Sequence, residues 1–86
     1  MTRKYTITTH HTLGSCSVTF VIRPIPASYR GERRDLVLEF PTSEAADAAA
    51  NRAAGLWTAP EAQAVLATAL AAAGRSEATS EILDFS

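Results

Sequence analysis

DLVLEFPTSEAADAAANRAA, residues 35–54, decides the fold. Its first six residues alternate, with Leu36, Leu38 and Phe40 on one side and Asp35, Val37 and Glu39 on the other. That is the period-two pattern of a half-buried strand. Pro41 ends the strand, because it has no N–H to give to a ladder. Thr42 or Ser43 then offers an N-cap oxygen, and Glu44 and Asp47 complement the positive end of a helix predicted over 43–54. Ala45, Ala46, Ala49, Ala50 and Ala53 line one side of it; Glu44, Asp47 and Asn51 line the other. A strand that gives way to an amphipathic helix within twenty residues points to an α+β domain.

Working outward, KYTITT (residues 4–9) alternates and is rich in β-formers, with Tyr5 and Ile7 on one face. CSVTFVI (16–22) places Cys16, Val18, Phe20 and Ile22 together. HHTLGS joins the two as a turn, and Gly14 is free to take positive φ, so the pair reads as an antiparallel hairpin. RPIP stops the second strand, since prolines are excluded from a central strand, and 23–34 (RPIPASYRGERR) reads as a loop or extended hairpin tip. After the first helix, Gly55 suits a C′ position with Leu56-Trp57 packing back after it, and Trp57 reads as a core or staple residue, or an interface anchor if exposed. Thr58 and Glu61 have capping-box spacing around Pro60. A second helix over 59–73 follows, with Ala62, Val65, Leu66, Ala69, Leu70 and Ala73 as its apolar stripe and Gly74 closing it. The tail, RSEATSEILDFS, alternates enough to be read as a fourth, edge strand; a short docked turn or a frayed end is the alternative.

The expectation is therefore one α+β domain over 1–86. It is a two-layer sandwich in which an antiparallel sheet (β-β-β-α-α, closed by a C-terminal strand) carries two helices on one face. Tyr5, Ile7, Val18, Phe20, Ile22, Leu36, Leu38 and Phe40 form its buried face. Eighty-six residues give a modest core, and residues 45–73 hold 15 alanines in 29 positions, which favour helix but bury little area each. No apolar run reaches the roughly 18–20 residues of a membrane span. The N-terminus lacks the apolar stretch of a secretory signal, and a single cysteine fits a reducing compartment, so the cytoplasm is the expected location.

Charge is divided along the chain. Residues 1–34 hold Arg3, Lys4, Arg23, Arg30, Arg33 and Arg34 against Glu32, for +5; residues 35–86 hold eight acids against Arg52 and Arg75, for −6. Such a division speaks of partners, one surface suited to an anion and another to a cation. The strongest candidate contact is the 23–34 loop, where Arg23, Arg30, Arg33 and Arg34 surround Tyr29; arginine forks grip phosphate or carboxylate, and an aromatic anchors an interface. A solvated, solubilising loop is the plain reading. Glu44, Asp47 and Glu61 are candidates for an acidic surface that meets a basic groove, where the plain reading is capping and the helix dipole. His10 and His11 are strand neighbours that point to opposite faces, so no metal site is expected. Cys16 reads as a buried structural thiol. No nucleophile elbow, phosphate-binding glycine loop or paired carboxylates are present, so no catalytic residues and no cofactor are expected. The outer side of the second helix (Gln63, Ala64, Ala67, Thr68, Ala71) carries no charge, which suggests a homodimer through 59–73.

In build, TFVI followed by DLVLEF and PTSEAADAAANRAAGLW resembles the small α+β proteins of phages and mobile elements, and among these is similar to anti-CRISPR proteins. The likeness covers the whole chain as architecture and carries no residue roles. It implies a non-enzymatic inhibitor in a host cytoplasm that docks on a protein or nucleoprotein complex such as a CRISPR effector, blocking nucleic-acid recognition or nuclease recruitment. The alternatives are a small nucleic-acid-binding domain using the arginine loop, against which the net charge of −1 counts, and a homo-oligomeric adaptor.

Overall fold

The computed structural model describes residues 4–25 and 32–84. Within them the element order is β1 (Lys4–His11), β2 (Ser17–Ile25), β3 (Arg34–Glu39), α1 (Ser43–Ala53), β4 (Gly55–Thr58), α2 (Ala59–Ala72) and α3 (Thr79–Ile82). The four strands form one antiparallel sheet in the order β3-β2-β1-β4, and the helices pack on one of its faces. This is the expected two-layer α+β sandwich, and the expected face is the buried one. Tyr5, Ile7, Val18, Phe20, Ile22, Leu38 and Phe40 are buried, and Leu36 packs partly buried against them. From the helices, Ala46, Ala50, Ala53, Ala62, Leu66, Ala69 and Leu70 complete the core. The large side chains supply most of the driving force, at about 1.5–3 kcal/mol for each Phe, Ile or Leu removed from water.

Caps set the helix bounds. Thr42 Oγ1 accepts the Ala45 N–H at 3.0 Å, starting α1. At the end of α2, Arg75 N–H reaches Leu70 O at 2.8 Å and Gly74 N–H reaches Ala71 O at 3.0 Å, a Schellman arrangement.

Three elements differ from the sequence reading. The fourth strand is not C-terminal: it is β4, inserted between the helices and paired with β1 from Lys4↔Thr58 to Ile7↔Gly55. Gly55 (φ +150°) begins that strand, after Ala54 has already left the helix in extended geometry. Four residues flanked by alanine-rich helices are too few for alternation to stand out. Second, the tail forms the short helix α3. Ile82 and Leu83 are both buried, which adjacent residues of a half-buried strand cannot be on one face, but the end of a helical turn can. Third, β2 runs on through Pro24, paired with Tyr5. Its pairing with β3 ends at Ile22↔Arg34, so Pro24 has a strand neighbour on one side only, where a missing N–H is tolerated.

Candidate functional site

The candidate residues divide between the two ends of the sheet. At the end where β1 starts, Arg23 is exposed on the outer face of β2. Arg33 is exposed, with its Nε 3.5 Å from the Asp35 carboxylate. Arg34 donates from Nη1 to Glu81 O at 2.6 Å and from Nη2 to Asp84 O at 3.1 Å. The Tyr5 hydroxyl donates to Leu83 O at 3.1 Å. Two side chains thus bind backbone carbonyls at and just beyond the C-terminus of α3. Tyr29 and Arg30 lie outside the described residues.

Glu61 stands at this same end. The Thr58 N–H and hydroxyl donate to its Oε1 at 3.0 and 2.8 Å. Those bonds, the backbone one first, hold its carboxyl below the usual glutamate range, and the Lys4 charge adds to the effect. Glu61 therefore serves the start of α2. It does not join Glu44 and Asp47 in one acidic patch, because Thr58 pairs with Lys4 while Asp47 approaches His11, seven strand residues away, or roughly 23 Å.

Folding also mixes the charges that the sequence separates. Arg33 faces Asp35, Arg34 binds backbone carbonyls of the acidic tail, and Lys4 lies by Glu61.

At the opposite end is a feature that the sequence presents as a plain turn. Ser15 N–H donates to Thr12 O at 2.9 Å, and Gly14 takes φ +83°, which a side chain would resist. Ser17 N–H donates to Ser15 Oγ at 3.1 Å. His11 braces this turn from the end of β1. Its Nε2 lies 2.7 Å from Ser15 O, an atom that can only accept, and its Nδ1 lies 3.8 Å from Asp47 Oδ1. At the tip, Leu13 is 97% exposed. With Glu44, Asp47, Ser43, Gly14 and His11 it borders a shallow concavity of about 210 Å³. The signal that could have found it is a lone leucine in an otherwise polar turn, HHTLGS.

Cys16 is exposed, contrary to expectation, because it precedes the first paired residue of β2 and lies beyond the ladder, even though its carbonyl still accepts from Phe40 N–H at 2.8 Å. His10 is exposed on the outer sheet face while His11 is largely covered, and among the described residues no three His, Cys, Asp or Glu side chains converge. Trp57 is half-buried and donates from Nε1 to Ala53 O at 2.8 Å, tying β4 to the end of α1. Among the described residues no helix is long and apolar enough to cross a membrane.

The arrangement offers an apolar knob on a pinned turn, bordered by two carboxylates. Comparison with protein-family models, curated proteins and solved structures finds no match to this chain.

Proposed function

We propose that this chain is a non-enzymatic binding protein that docks on a protein or nucleoprotein effector in a host cytoplasm and occludes one of its functional surfaces. The observation that carries this reading is Leu13, 97% exposed on a turn fixed by His11, Gly14 and Ser15. A turn already ordered loses little freedom on binding, and the leucine held on it has apolar area to bury against a partner. Glu44 and Asp47 beside it fit an apolar socket rimmed by lysine or arginine. Basic grooves that hold nucleic acid have that chemistry, in keeping with the resemblance to anti-CRISPR proteins and with a mechanism of blocked nucleic-acid recognition or nuclease recruitment. Arg23 and Arg33, at the far end of the sheet, are secondary contacts. Direct nucleic-acid binding has less behind it, since Arg34 spends its guanidinium on the tail and the net charge is −1.

The test is capture from host lysate on immobilised protein, with and without nuclease. The wild-type chain is expected to retain a stoichiometric protein after nuclease, and Leu13→Asp to lose it while melting at the same temperature. Equal capture by Leu13→Asp removes the turn from the interface. Recovery that vanishes with nuclease supports the nucleic-acid reading instead.

A further inference from the structure

We infer that α1 and α2 form the interface of an antiparallel homodimer, centred on Ala48. The two helices leave an open apolar groove of about 190 Å³, walled by Ala45, Ala49, Val65 and Ala69, with Arg52 at its rim. The charges beside the groove identify its occupant. Glu44, Ala48 and Arg52 are exposed and spaced i, i+4, i+8, so they form one ridge along α1. A two-fold axis through Ala48, perpendicular to the helix, sets Glu44 of each copy against Arg52 of the other. A parallel arrangement sets like charges together. The ridge is thus complementary to itself in one orientation only, which favours a second copy over an unrelated helix.

Three further facts agree. Arg52 makes no ion pair within its own chain among the described residues. Ala48, with only a methyl group at the axis, lets the two backbones approach to the low end of the roughly 8–10 Å range for packed helices. The exposed flank of α2 (Gln63, Ala64, Ala67, Thr68, Ala71) brings no charge that would repel its image. The inference shares Glu44 with the docking reading but not Leu13, Ala48 or Arg52, so Ala48→Glu and Arg52→Glu test the dimer alone and Leu13→Asp tests docking alone.

Sedimentation equilibrium over a wide concentration range tests it, on the wild-type chain, Glu44→Arg, Arg52→Glu, the double exchange and Ala48→Glu. The expected result is a wild-type mass that rises to two chains. Each single exchange should weaken the dimer about tenfold or more, by equal amounts because each removes the same contact twice, and the double exchange should restore it. Ala48→Glu is expected to stay monomeric with an unchanged circular dichroism spectrum. A wild-type chain that is monomeric throughout overturns the inference, and so does a dimer indifferent to these substitutions. Should a charge exchange unfold the helix, Ala48→Glu at its exposed position still separates dimer from monomer.

Discussion

Arg34 shows how far a residue's type falls short of its role. In the sequence it belongs to an arginine cluster suited to phosphate or carboxylate; in the fold its guanidinium closes the end of α3. Nothing local in the chain announces this, because its partners lie 47 and 50 residues away. Arg34→Ala is expected to accelerate amide exchange across 79–84 while the melting temperature falls only slightly, since the core beneath is untouched. Unchanged exchange there would mean that the burial of Ile82 and Leu83 holds the tail alone. The core residues, by contrast, were legible, because alternation assigns a face directly. Phe20 is fully buried at the centre of the sheet, and Phe20→Ala is expected to cost about 3–5 kcal/mol, much of the stability of a small domain, as a denaturant titration would record. Leu13 stayed hidden because an exposed turn residue belongs to no period.

At the scale of elements, α1 and α2 were readable to within a residue at each end, because Thr42, Thr58, Pro60 and Gly74 are local signals that act locally. β4 and α3 were not. β4 exists because β1 offers it an edge, and α3 because Tyr5 and Arg34 receive it; both depend on contacts distant in sequence. The cap on α2 makes a pH-dependent prediction. The Glu61 carboxyl is held below its ordinary value of 4.5 by the Thr58 bonds. Its contribution is therefore fully present above that value and is lost as pH falls through the lower, folded one. The stability gap between the wild-type chain and Glu61→Gln should hold steady near neutrality and close on acidification below about pH 4.5. A gap that stays constant to lower pH would assign the cap to the Thr58 hydroxyl and not to the carboxylate charge.

For the whole molecule, the division of charge along the chain does not become a division of charge in space. The sheet returns the acidic tail and Glu61 to the basic end, and Glu44 and Asp47 are left with Leu13 and His11 at the other. The proposed docking surface is accordingly centred on the β1–β2 turn; residues 26–31 of the arginine loop lie outside the described residues. The two-layer build leaves the turn free, since the helices cover one sheet face and Leu13 extends beyond them into solvent. The most direct test is the affinity of the captured effector for Leu13→Asp beside an Arg23→Ala, Arg33→Ala double variant, each confirmed as folded by its melting curve. A buried anchor is worth about 2 kcal/mol or more, so Leu13→Asp should weaken binding by roughly thirtyfold or more, while the arginine variant should shift mainly the association rate and its salt dependence. Loss of binding in the arginine variant with full retention in Leu13→Asp would contradict the account and return the interface to the opposite end of the sheet.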